Sequence, residues 1–371
     1  MAHRREQLLA WWERAGRRDP DQKPWMVLPD GRWPAPGAQL DPYGVWVAEV
    51  MLQQTQLAVM LPYWRRWMAR WPDRDALAKA DGHDLLLVWQ GLGYYARARR
   101  LHQGARQLAS ADWPRDPQGW LALPGVGRST AGSILSSAFD LPWPILDGNV
   151  RRVLARLVAW PAPPAREPGP FWQLSTDLLD RRRPRDVNQA LMDLGATVCT
   201  PRRPRCDSCP WHDTCAAYAA GDPVRFPVKD APRPSPLQVI GVGIVLNEAG
   251  EVLIDQRLDE GLLGGLWEFP GGKQEPDEPI TATIARELQE ELGIVVEVGE
   301  ALISLDHAYS HRRLRLVVHL CRWLDGEPRP LASQQVRWVA PERLGEFPFP
   351  AANARIIAAL HERLGLVTPT S

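Results

Sequence analysis

The chain has no run of 18 or more apolar residues, so no helix is expected to span a membrane. The opening residues Met1-Ala2-His3-Arg4-Arg5-Glu6 are too charged and too mixed for a secretory signal, and they run straight into Leu8, Leu9, Trp11 and Trp12. There is no evenly spaced cysteine framework. Of 5 cysteines, four are Cys199, Cys206, Cys209 and Cys215, and the fifth, Cys321, stands alone in a strand-like run that suits a buried core residue. This excludes a secreted scaffold stapled by disulfides and points to the cytoplasm. Internal repeats and low-complexity tracts are also missing. Net charge is zero, but the zero hides a split: residues 1–236 carry 32 basic and 24 acidic side chains, residues 237–371 carry 12 and 20. A basic part dominated by arginine suits a polyanion, and an acidic part suits a metal ion or solubility.

What is present is enough for a packed protein. With 371 residues, 45% hydrophobic and 24% charged, two or three domains are expected. Residues 1–18 read as a helix. Residues 19–42, rich in proline and glycine, read as an irregular loop. From Val45 to about Ala220 the apolar spacing is helical between Pro/Gly breaks, in segments such as Pro42–Arg70, Gly82–Leu87, Ala96–Ala109, Ser129–Phe139 and Asn188–Val198. Residues 221–236, with five prolines, read as a semi-rigid linker. Strand-like runs follow at Val239–Leu246, Val252–Gln256 and Leu314–Trp323, with one clear helix at Ile280–Leu292.

Four constellations carry chemistry. Four thiolates spaced Cys199-x6-Cys206-x2-Cys209-x5-Cys215 demand a metal centre, and both zinc and iron–sulfur accept such a set. Arg202, Arg203 and Arg205 lie inside this loop, where a metal centre would fix them toward a phosphate backbone. The turn Leu123-Pro124-Gly125-Val126-Gly127-Arg128-Ser129 lies between two helices. Gly125 and Gly127 let backbone approach a phosphate, at a helix N-terminus whose free N–H groups begin near Ser129. Asp147, at the end of an apolar run, reads either as a helix N-cap or as a functional acid. Glu49 sits in the almost wholly apolar Val45–Leu52, where desolvation should raise its pKa. Finally, Glu287, Glu290 and Glu291 share one face of the 280–292 helix, and a divalent cation such as Mg²⁺ would neutralise them.

Residues 43–215 resemble a helix-hairpin-helix DNA glycosylase with an iron–sulfur cluster, and more closely the adenine DNA glycosylase family. The likeness rests on Val45–Leu57, Trp89–Arg99, Leu121–Ile134, Ile145–Arg156 and Asn188–Cys199, which fall in the family's order. Gly272-x5-Glu278-x7-Arg286-Glu287-Leu288-x-Glu290-Glu291-x-Gly293-Ile294 is a complete Nudix box, similar to that of the 8-oxo-dGTP pyrophosphatase family. The expected architecture is therefore multidomain. An all-α helix-hairpin-helix glycosylase domain covers 1–198, the cluster loop 199–220 and the linker 221–236, and an α/β Nudix-like domain covers 237–371.

The resemblance implies a bacterial-cytosol base-excision enzyme that is a monomer and binds double-stranded DNA with A:8-oxoguanine or A:G mispairs. It would carry a [4Fe–4S] cluster on the four cysteines. By family match Glu49 is the general acid, Asp147 the stabilising carboxylate and Asn149 their orienting partner. Gln54, Leu92 and Tyr94 enter the duplex, with Gly125, Gly127, Ser129, Arg202 and Arg203 also at the DNA. Tyr309, Ser310 and His311 read 8-oxoguanine, and Asn353 is a nucleotide contact. Bifunctional relatives carry a lysine after the hairpin where this chain has Ser129, which implies a monofunctional enzyme. Residues 26–40 look longer than the family's loop, with Met26 where a polar residue is common. The Nudix resemblance also implies an additional 8-oxo-dGTP pyrophosphohydrolase activity of the C-terminal domain. Two other functions fit parts of the pattern: a nucleotide-pool hydrolase tethered to DNA, and a non-catalytic lesion-binding protein.

Overall fold

The computed structural model describes residues 1–231, 236–261, 263–309 and 312–366. The chain divides into two compact units, Met1–Lys79 with Arg100–Pro232, and Ala80–Arg99 with Arg233–Ser371. The division at Pro232/Arg233 falls within the proline-rich segment, and Ala80–Arg99 groups with the C-terminal part of the chain. Among the described residues no helix is long and apolar enough to cross a membrane.

Up to residue 220 the described structure is helical: α1 (Ala2–Ala15), α2 (Pro42–Leu52), α3 (Leu57–Arg70), α4 (Arg74–Ala78), α5 (Gly82–Trp89), α6 (Ala96–Leu108), α7 (Pro117–Leu121), α8 (Arg128–Phe139), α9 (Gly148–Leu157), α10 (Gly169–Leu178), α11 (Pro184–Asp193) and α12 (Ala216–Ala219). Aspartate starts many of them. Asp41, Asp73, Asp81, Asp116 and Asp147 each accept backbone N–H groups at the first turn, which satisfies donors the helix itself cannot. The single helical stretch expected over 42–70 is two helices, because the chain turns at Gln54, whose φ is +59°. Leu8, Trp12, Val150, Leu154, Phe171, Val187 and Leu191 bring α1, α9, α10 and α11 into one core.

After residue 236 the structure is a mixed sheet with helices on both faces. Its elements are β1 (Leu237–Leu246), β2 (Val252–Gln256), β3 (Trp267–Glu268), β4 (Gly271–Lys273), α13 (Ile280–Leu292), β5 (Val295–Tyr309), β6 (Arg312–Asp325), β7 (Gln335–Val339) and α14 (Asn353–Arg363). The order is β3-β2-β1-β6-β5, with β4 also on β1 and β7 on β2. Among the described residues only β1 and β6 run parallel. Alternation along β1 separates two cores: Val242 and Ile244 face Ile356 and Leu360 of α14, while Val245 joins Leu253, Ile284, Leu288 and Cys321 on the α13 side. Cys321 is a core residue, as its sequence context suggested. Glu248-Ala249-Gly250 forms the β1–β2 turn, with Gly250 at φ +76°.

Candidate active site

Asp41 caps α2 through the N–H groups of Tyr43 (3.1 Å) and Gly44 (3.0 Å), and Pro42 fits the first helical position. Every residue from Tyr43 to Met51 is buried except Glu49, which is half-buried at the wall of a cavity of about 770 Å³. Burial, with the charge of Asp147 adding, pushes the Glu49 carboxyl up to about 7, against the pull of the Ser133 hydroxyl and the Lys23 ammonium.

Asp147 lines the same cavity and also caps α9, its Oδ1 accepting from the Val150 N–H at 2.7 Å. The N-cap reading and the functional reading are therefore compatible. Burial raises the Asp147 pKa, opposed by the N–H groups of Val150 and Asn149 and by Arg152 and Arg151. Asn149, also on this wall, accepts from Arg152 Nη2 at 2.8 Å. The same guanidinium donates to the carbonyls of Gly195 (2.8 Å) and Cys199 (2.9 Å). Gly195 has to be small: a Cβ there would stand 2.7 Å from the Asn149 Cβ. It lies in a π-helical turn, Leu194–Val198, that continues α11, an irregularity common at functional sites.

The hairpin joins α7 and α8. Gly125 is exposed at φ +78°, and Gly127, also exposed, is the N-cap of α8. Ser129 faces the cavity, and its Oγ accepts from the Leu146 N–H at 3.0 Å, which ties the hairpin to the segment that presents Asp147. Gln54 is exposed in its left-handed conformation, and Tyr94 is exposed at φ +47°. Leu92, in the same turn, is only 6% exposed.

All four cysteines of the 199–215 loop are unpaired thiols, and they line one cavity with Val153, Leu194 and Trp211. Arg156, itself buried, donates to Cys199 Sγ at 3.3 Å and to the carbonyls of Thr200 (2.7 Å) and Pro201 (2.9 Å). A cation donating to sulfur suits an anionic thiolate centre, so the donor set fits an iron–sulfur group. Arg202 and Arg203 are exposed on this loop.

Sequence reading missed a buried network behind the Glu49 wall. Lys23 donates to Gln189 Oε1 (2.7 Å) and Asp193 Oδ1 (2.9 Å), and Asp193 also accepts from Trp12 (3.0 Å) and Arg17 (2.8 Å). Burial lowers the Lys23 pKa. Burial works to raise that of Asp193, but Lys23 and Arg17 outweigh it and hold the carboxyl below its usual value. Lys23 sits in an irregular loop, where no periodicity marks it.

In the second unit, Arg286 donates to Glu278 (2.9 Å), Glu287 (2.9 Å) and Glu290 (3.1 Å). Arg286 thus pairs with two of the three glutamates expected to hold a cation, Glu287 and Glu290. Glu291 is pushed up to about 7 by burial and then by Glu287 and Glu268. Asp255, also missed, is buried on β2 and driven to about 8 by desolvation and by Glu268 and Glu291. A single acid in the apolar run Val252–Gln256 was the available signal. Asn353 is buried at the start of α14. Tyr309 closes β5, while Ser310 and His311 lie outside the described residues.

Residues 47–168 match the model of the HhH-GPD superfamily of base excision DNA repair proteins, 199–215 that of the iron–sulfur binding domain of endonuclease III, and 241–359 that of the NUDIX domain. The adenine DNA glycosylase of Mus musculus is 36% identical over 91% of this chain and 74% of its own length. That of Homo sapiens is 34% identical over 91% of this chain and 70% of its own. Among solved structures, a thermostable thymine-DNA glycosylase aligns with TM-score 0.49 and 24% identity, over 59% of this chain and 98% of its own.

Proposed function

The chain belongs to the adenine DNA glycosylase family, and from this we propose that it hydrolyses the N-glycosidic bond of adenine mispaired with 8-oxoguanine, or with G, in double-stranded DNA. The observation that carries the reading is one cavity walled by two carboxyls in different surroundings, Glu49 and Asp147. Adenine leaves slowly as an anion, so its ring must gain a proton as positive charge builds on the deoxyribose. A carboxyl near pKa 7 can carry that proton at neutral pH. Burial raises the Asp147 pKa, but the Val150 and Asn149 N–H groups with Arg152 and Arg151 favour its anion, and in that form it supplies the negative charge that steadies the sugar. Asn149 keeps its orientation through Arg152.

The base must leave the stack to enter the cavity. Gln54 and Tyr94 are the exposed side chains that would fill the space, while Gly125, Gly127, Arg202 and Arg203 hold the backbone. Cys199, Cys206, Cys209 and Cys215 would hold the [4Fe–4S] cluster, which when bound fixes the fold of its loop. With Ser129 hydrogen-bonded to Leu146 and no lysine after the hairpin, the enzyme is monofunctional. The test is base release from matched duplexes carrying A or C opposite 8-oxoguanine or G, with and without hot alkali. Release of adenine alone, with strand breaks only after alkali, is expected. Cytosine release or equal strand breakage without alkali would overturn it.

We assign the C-terminal part of the chain to reading 8-oxoguanine and not to hydrolysing nucleotides. The support is that Arg286 engages Glu278, Glu287 and Glu290 together. The full chain with Mg²⁺ should turn over 8-oxo-dGTP no faster than its Glu290→Gln variant; faster turnover would reverse the assignment.

A further inference from the structure

The turn between α5 and α6 has an unusual backbone. Gly91, Gly93 and Tyr94 all have positive φ, at +95°, +75° and +47°. Glycine accepts this conformation readily, but tyrosine does not, so the surroundings must hold the turn in place. Trp89 Nε1 donates to the Gly93 carbonyl at 2.9 Å. Arg97 Nη2 donates to the carbonyls of Gly93 (3.0 Å) and Leu92 (3.2 Å), and its guanidinium lies 5.3 Å from the Trp89 ring and 5.5 Å from the Tyr94 ring. These contacts make the turn rigid within itself.

Tyr95 does something different. Its ring is 2% exposed, and its Oη accepts from the Gly91 N–H at 3.3 Å while donating to the Phe349 carbonyl at 3.1 Å. Phe349 is a core residue on the α14 side of the sheet, stacked 5.3 Å from Phe269. One buried hydroxyl therefore fastens the first glycine of the turn to the core of the second unit. Contacts on either side keep the segment in place: His83 Nε2 meets the Glu346 carbonyl at 2.9 Å, and Arg99 donates to the Gly264 carbonyl. The outcome is an inward Tyr95 beside an outward Tyr94, 45% exposed.

We infer that Tyr95 is a positioning residue for lesion recognition: its hydroxyl, shared between Gly91 and Phe349, fixes where the neighbouring Tyr94 ring is presented to the duplex. Tyr95 touches no DNA and acts through Tyr94. The inference rests on the adenine-glycosylase reading. It accounts for a tyrosine at a position where packing alone would be met by phenylalanine, since removing the hydroxyl leaves a buried carbonyl without its donor.

The test is a double-mutant cycle on the full chain, following single-turnover adenine release from A:8-oxoguanine duplexes. Tyr95→Phe keeps the ring and should slow release about 5–10-fold, the worth of one buried hydrogen bond. Tyr94→Ser should slow it by at least as much, and the double variant should be no slower than Tyr94→Ser alone. Hydrogen exchange should quicken in the peptide covering residues 89–96 of Tyr95→Phe and stay unchanged over the first unit. Independent, multiplying effects of the two substitutions would overturn the inference, as would a Tyr95→Phe enzyme that works like the parent. A purely structural role would give multiplying effects and exchange that quickens across the whole second unit. If the parent itself releases no adenine, the functional reading falls and takes the inference with it; if the parent is active and only the cycle fails, the inference falls alone.

Discussion

At the scale of single residues, each of the two cavity carboxyls has both a structural cost or use and a chemical one. Asp147 caps α9, and asparagine caps about as well as aspartate. Asp147→Asn should therefore melt within a degree or two of the parent yet lose adenine release by two orders of magnitude or more, measured by thermal melting beside single-turnover kinetics. Asp147→Ala should lose the activity and about 1 kcal/mol of stability as well. Glu49 is the reverse case, a group that costs stability. Its folded pKa near 7 lies above the ordinary 4.5, so the folded state binds the proton more tightly and stability falls as pH rises between those values. Glu49→Gln should abolish release while raising stability at pH 8, by on the order of 1–3 kcal/mol, with no gain at pH 4. For the active enzyme, release should decline as pH rises through about 7, where the acid loses its proton.

At the scale of elements, α9 connects two parts of the first unit. Its first turn carries Asp147 and Asn149, and one turn on, Arg152 binds Asn149, the Gly195 carbonyl in the π-helical turn and the Cys199 carbonyl. A disturbance at the cysteine loop can thus reach the cavity through a single guanidinium. Arg152→Ala should slow adenine release at least tenfold and also speed the loss of the visible iron–sulfur absorbance under a chelator. Arg152→Lys should rescue neither fully, because an ammonium cannot fork between three acceptors. Gly195→Ala should slow release with little change in cluster retention, since its added Cβ meets Asn149. Much at this scale was legible beforehand. The hairpin turn and the 280–292 helix carry their own glycines, caps and spacing, so local chemistry was enough to place them. The 15-residue strand β5 was not foreseen, because glycine and acidic residues interrupt its alternation and its pairing with β6 shifts register twice near Val298–Ile303.

At the scale of the whole molecule, charge and burial act together. The excess of basic side chains before residue 237 should make duplex binding fall steeply with salt, as counterion release requires. In the second unit, Asp255 near 8 and Glu291 near 7 add to Glu49, so global stability should fall between about pH 4.5 and 8. Asp255→Asn should flatten the upper part of that fall in a melting series. The sequence by itself determined which chemistry was available: a lone glutamate in an apolar helix, an aspartate before a helix, four clustered thiols and a complete acidic box. Those are properties of residue type and local spacing, and they survive any arrangement in space. Only the tertiary structure decided which groups share a cavity, that Lys23 and Asp193 stand behind Glu49, that Arg286 holds the acidic box, and that Ala80–Arg99 belongs with the C-terminal sheet. Contacts between residues far apart in the chain depend on how faces pack, and no local pattern of hydrophobicity or charge encodes that.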